Sequence, residues 1–150
     1  MRHRWFAGLT VALALGTLTT PVRAQEREYP QMSAEQRAEL SPVFDTFFLR
    51  LQRGEAEQVY ADWLDDTPMP NLKAAIPGMV EQTQMLLSLY GGIRSWEAVD
   101  SECLVPSVCR VRYVVHTQRI PVFFSFDVYR APSGWKMTRI GFTDQLQNIF

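Results

Sequence analysis

The stretch Cys109-Arg110-Val111-Arg112-Tyr113-Val114-Val115-His116-Thr117-Gln118-Arg119-Ile120-Pro121-Val122-Phe123-Phe124-Ser125-Phe126-Asp127-Val128-Tyr129-Arg130 decides the fold. Its apolar residues alternate with the two-residue period of a half-buried strand. Val111, Tyr113 and Val115 share one face of a strand running from Cys109 to about Gln118. Val122, Phe124, Phe126 and Val128 share one face of the next, from Val122 to Arg130. Both apolar sets should look at the core, which joins odd positions of one strand to even positions of the next. The hairpin loop must then hold an even number of residues, and Arg119-Ile120 is the expected loop. In that register Arg112 faces Asp127 and Val115 faces Phe124. The opposite face carries Arg110, Arg112, Val114, His116, Phe123, Ser125, Asp127 and Tyr129. Val114, Phe123 and Tyr129 make it too apolar to stay bare on a monomer, so sheet-to-sheet homodimerisation is expected, with His116 at its margin. Cover by a strand end or by the C-terminal tail is the other reading.

The alternation extends outward on both sides. Ile93 to Cys103 reads as an earlier strand. Ala131-Pro132-Ser133-Gly134 reads as a turn, and Trp135 to Phe142 as a last strand. Before Gly91-Gly92 the period is helical. Ser33 and Gln36 form a capping box that opens a short helix to about Leu40. Ser41-Pro42 restarts the signal, and Val43, Phe44, Phe47, Phe48 and Leu51 recur at helical spacing up to Gly54. Glu55 to Leu64 is a second helix with a stripe of Val59, Tyr60, Trp63 and Leu64. Asp65-Asp66-Thr67-Pro68-Met69-Pro70 breaks it. Leu72 to Tyr90 is a third helical region, divided or kinked at Pro77-Gly78, with Met79, Val80, Thr83, Leu86, Leu87 and Tyr90 inward. Helices first and strands after predict an α+β domain, N-terminal helices packed on a curved antiparallel sheet of about four strands.

The N-terminus reads as an export signal. Arg2, His3 and Arg4 precede an apolar run from Trp5 to about Leu18, and Pro21-Val22-Arg23-Ala24 ends in small residues, so cleavage is expected after Ala24. The run is too short for a comfortable membrane span, and no Cys at the cut invites a lipid anchor. The expected organisation is signal peptide 1–24, leader and short helix 25–40, and one domain over 41–150. The chain has 15 basic and 16 acidic residues. Arg2, Arg4 and Arg23 leave with the signal, and no acid does, so the exported part is mildly acidic. That fits neither nucleic acid, which needs a basic stripe, nor an anionic membrane. Periplasmic or secreted placement follows from the signal. Cys103 and Cys109 are then expected to pair as a disulfide that pins a turn. Metal binding is the rival, and it needs more ligands than His116 alone provides. No cofactor motif is visible.

Several pieces, in order, resemble the nuclear transport factor 2-like superfamily, the cone-shaped fold also called cystatin-like. They are Phe47-Phe48-Leu49-Arg50-Leu51-Gln52-Arg53-Gly54-Glu55, Val59-Tyr60-Ala61-Asp62-Trp63-Leu64-Asp65-Asp66, Leu89-Tyr90-Gly91-Gly92-Ile93-Arg94-Ser95-Trp96 and Gly134-Trp135-Lys136-Met137. The likeness covers Ser41 to Asp144 and is strongest to small exported members of unknown function. It implies a curved sheet wrapped around helices, often a pocket at the open end, and frequent dimers through the outer sheet. It does not imply one activity. In ketosteroid isomerases of this superfamily a Tyr in the first helix helps stabilise the dienolate; the matching position here is Phe47, which cannot donate a hydrogen bond. The base would fall within Thr67-Pro68-Met69-Pro70, so that site is not carried over. Dehydratase-type members use His and Asp in the pocket, whereas His116 belongs to the outer face.

Tyr60, Trp63, Tyr90, Trp96 and Tyr113 are the candidates for an aromatic ligand pocket, and core packing is the competing role. Asp62, Asp65 and Asp66 are a possible carboxylate group, read more simply as a solvated helix end. The expectation is a non-catalytic exported domain that binds a small apolar ligand or a protein partner. The alternatives are a lyase- or isomerase-type enzyme with a pocket in the cone, and an accessory module that dimerises through its outer sheet. A cone filled by Phe44, Phe48, Phe124 and Phe126 would leave interaction roles only.

Overall fold

The computed structural model describes residues 29–65 and 70–145. The expected signal peptide lies outside them. Three helices, α1 (Ala34–Gln52), α2 (Ala56–Asp65) and α3 (Pro70–Tyr90), precede four strands, β1 (Ile93–Val105), β2 (Val108–Thr117), β3 (Pro121–Ala131) and β4 (Gly134–Thr143). The strands form one antiparallel sheet in the order β1-β2-β3-β4, an α+β fold. No described helix is long and apolar enough to cross a membrane.

The capping box at the start of α1 forms as expected: Gln36 N–H donates to Ser33 Oγ and Ser33 N–H to Gln36 Oε1. The break expected at Ser41-Pro42 is absent, and α1 runs through Pro42. Packing overrides the local stop, because Leu40 before it and Phe44 after it sit in the same core. The described part of the leader, from Tyr29 on, is docked on the domain. Pro30 C=O accepts from Cys103 N–H at 2.7 Å, Met32 is buried, and Gln36 Nε2 donates to Pro106 C=O at 2.6 Å. Residues 29–40 therefore belong to the domain. Pro77 likewise lies inside a single α3. Thr83 and Leu86 on its inner side are buried.

The expected faces hold: Val111, Tyr113, Val115, Val122, Phe124, Phe126 and Val128 are all buried. The expected register does not. Arg110 pairs with Asp127, Tyr113 with Phe124 and Val115 with Val122, a slide of two residues. The loop is Thr117–Ile120, not Arg119-Ile120 alone. The other two hairpins turn in two residues, at Pro106-Ser107 and Pro132-Ser133, whereas this one takes four. The longer loop closes instead on Thr117, whose hydroxyl donates to Ile120 C=O at 2.6 Å and accepts from Ile120 N–H at 3.3 Å. It is clamped to the end of α3 by Arg119 N–H donating to Tyr90 C=O at 3.0 Å. Gly91, at φ 83°, makes room: a Cβ there would meet Gln118 Cβ at 2.7 Å.

The Cys103–Cys109 disulfide is formed. It joins directly paired residues of the β1–β2 hairpin, a covalent staple of the kind an oxidising, extracytoplasmic compartment permits.

Candidate functional site

Three regions bear on function: the space between α1 and the sheet, the outer face of the sheet, and a cleft beside the N-terminal segment.

The first is filled by rings at its centre, around Phe47 and Phe126. Phe44, Phe47 and Phe48 descend from α1 onto Phe124 and Phe126, with ring centroids 4.8 to 6.3 Å apart. Tyr60 adds an edge contact to Phe47 at 5.7 Å. All six rings are buried. Phe47 sits against Trp63 at 4.3 Å.

The five aromatic pocket candidates do not converge on one cavity. Tyr60 is sealed between α2 and α3, its hydroxyl 2.7 Å from Thr83 Oγ1; burial pushes its pKa up to about 12. Trp63 borders a shallow cleft with Val43, Trp135 and Met137. Tyr90 stands at the exposed end of α3, where its hydroxyl donates to Asp144 and its pKa is raised by that bond. Trp96 packs on Phe48 at 5.5 Å and donates Nε1–H to Asp45 at 2.8 Å. Of the five, Tyr113 lines a cleft of about 380 Å³ between the first half of α1 and the β1–β2 hairpin. Its pKa is pushed up to about 12, chiefly by burial and also by the Asp45 charge.

Sequence reasoning missed Asp45 and Ser101. Asp45 lies between buried Phe44 and exposed Thr46, so helical spacing alone does not place it. Ser101 reaches the inner face because β1 has irregularities between Ile93 and Ser95 and between Ala98 and Asp100, which reset its parity. No period count over Ile93–Cys103 shows that. Asp62 is drawn to Arg50 at 2.7 Å at an exposed helix end. Asp66 lies outside the described residues, as does the side chain of Asp65. Among the described residues no group of three or more His, Cys, Asp or Glu is placed to hold a metal ion.

The outer face is a lattice of matched charges with apolar gaps. Arg110 grips Asp127 with two bonds of 2.7 and 3.1 Å. Arg112 grips Asp100 across the other strand boundary with bonds of 2.6 and 2.7 Å. His116 Nε2 meets Glu97 Oε1 at 2.8 Å. Each arginine's pKa is raised by its carboxylate partner. Between these pairs Val114 and Phe123 are half-buried, and Val108 and Tyr129, paired across the strands, are exposed. The four residues expected on this face, Val114, His116, Phe123 and Tyr129, all lie on it.

No protein-family model matches the chain, and no curated protein matches it. Among solved structures it is similar to the intermembrane space region of the chloroplast protein ARC6, with 12% identity over 77% of this chain and 100% of that one and a TM-score of 0.42. A likeness that distant carries no functional argument.

Proposed function

We propose that the chain is a non-catalytic exported binding domain that docks a protein partner on the outer face of its sheet, and that the partner is a second copy of itself. The observation that carries this reading is the pairing of charges on that face. Arg110 with Asp127 and Arg112 with Asp100 are matched before any partner arrives. Burying a matched pair costs far less than burying a lone ion, because each charge keeps its hydrogen bonds. The apolar side chains between them, Val108, Val114, Phe123 and Tyr129, then supply the gain on association. Two copies of one face, each internally neutralised, can meet without repulsion. The phenylalanine packing at the centre of the space between α1 and the sheet leaves the outer face as the surface for a protein partner. The helices-then-meander order supports the nuclear transport factor 2-like reading of the fold.

Sedimentation equilibrium of the exported protein tests this. The expected result is a dimer that Phe123→Asp converts to a folded monomer, while Val43→Asp on the exposed side of α1 leaves it intact. A wild-type monomer at the highest soluble concentration would overturn the reading, as would a dimer insensitive to Phe123→Asp.

A further inference from the structure

We propose that the cleft between α1 and the β1–β2 hairpin binds a small uncharged molecule, mostly apolar, that carries one hydrogen-bond-accepting oxygen such as an ester, ketone or lactone. The cleft lies on the inner face of the sheet, opposite the docking face, and its occupancy does not depend on that face having a partner. Its volume, about 380 Å³, is within the range of small-molecule sites. Met32, Leu40, Phe44 and Val111 wall it, and all four are buried.

Two hydroxyls mark it as more than a packing gap. Tyr113 is only 6% exposed and Ser101 only 3%. Neither hydroxyl has a hydrogen-bond partner among the described residues, yet neither is sealed away as a buried orphan; both side chains line the cleft. Hydroxyls on side chains this deep ordinarily have a partner, in the protein or as an ordered water, and here only the cleft can supply it. Ser101 pairs with Val111 across the hairpin, and Tyr113 is the next inward residue along β2. The two residues therefore stand close together in the strands that form one wall. Burial keeps Tyr113 protonated throughout the neutral range, so it stands ready as a donor.

The charges nearby select a neutral guest. Asp100 borders the cleft but turns its carboxylate to Arg112 on the other side of the sheet. The Asp45 carboxylate acts on the Tyr113 hydroxyl and would repel an anionic head placed there. Arg37, which also borders the cleft, keeps its charge while its bond to Met32 C=O holds the guanidinium against the N-terminal segment. An ammonium head would find no uncommitted carboxylate on the wall.

The probe is methyl octanoate, isotope-labelled at its carbonyl carbon, with octanoate and octylamine as charged homologues. The ester is expected to bind the full exported protein saturably and to shift the amide resonances of Ser101, Val111 and Tyr113. Its carbonyl stretch should move to lower frequency on binding. Tyr113→Phe deletes only a hydroxyl without a protein partner, so the fold should persist. It should abolish the carbonyl shift and weaken binding by about fivefold. Ser101→Ala serves as the second variant and should weaken binding by a similar factor. Octanoate and octylamine should bind at least about tenfold more weakly. The assignment fails if the ester does not saturate, if both variants bind it like wild type with the carbonyl shift intact, or if either charged homologue binds as tightly.

Discussion

The Tyr60 hydroxyl and the Thr83 hydroxyl meet at 2.7 Å with both side chains buried, and this contact is a buried polar tie between α2 and α3. Each group satisfies the other where water does not reach. Thr83→Val leaves the Tyr60 hydroxyl without a partner and is expected to cost about 1–3 kcal/mol. Tyr60→Phe should cost a similar amount. The double variant should be less damaging than the sum of the two, because no unpaired hydroxyl remains. A double-mutant cycle measured by urea unfolding gives the coupling; strict additivity would refute the tie.

The same tyrosine makes the fold sensitive to alkali. The pKa values of Tyr60 and Tyr113 are pushed up to about 12 in the folded protein, against about 10 in the unfolded chain. Above that unfolded value the unfolded state releases these protons first. Stability is therefore full below about pH 10 and falls as pH rises toward 12, by on the order of 1–3 kcal/mol per tyrosine. Urea midpoints across this range should drop in the wild type, and the drop should be shallower in Tyr113→Phe. A flat profile above pH 10 would contradict burial of both phenols.

Phe47 touches Phe48, Tyr60, Trp63, Phe124 and Phe126 at once. Truncation to Ala should cost about 3–5 kcal/mol, from lost transfer energy and the cavity left among rigid rings. Val43→Ala on the exposed side of the same helix should stay within about 0.5 kcal/mol. Thermal melts of the two variants check the contrast, and comparable losses would mean the rings are not the centre of the core.

The Cys103–Cys109 bond closes a short hairpin around Pro106-Ser107. Such a loop has little entropy to lose, so reduction should lower stability by only about 2 kcal/mol. It should not unfold the domain at room temperature, since Cys103 N–H to Pro30 and the β1–β2 ladder remain. Melting with and without reductant, compared with a Cys103→Ser/Cys109→Ser variant, measures it. Complete unfolding on reduction would show the bond to be more than a staple.

Much of the architecture was legible in the linear chain because it follows from local rules. A capping box is four consecutive residues, Ser33 to Gln36. Alternation in Val122-Phe123-Phe124-Ser125-Phe126 assigns faces whatever lies opposite. A hairpin between two apolar faces requires an even loop. The candidate site was less legible. Tyr113 could be named as inward, but its nearness to Ser101 depends on irregularities in β1 that leave no periodic trace. Asp45 owes its place to Trp96, distant in sequence, which draws it by a hydrogen bond.

Taken alone, the residue order of this protein determined the element sequence, the inward sides of the central strands and the disulfide partners, since each depends on neighbours a few positions apart. Only the tertiary structure decided the two-residue slide that gives Asp127 to Arg110 and Asp100 to Arg112, the passage of α1 through Pro42, and the gathering of Tyr113 and Ser101 in one cleft. Those outcomes turn on contacts between segments far apart in the chain. There the packing of rings and the closing of the Thr117–Ile120 loop outweigh local preferences worth a kilocalorie or so per residue.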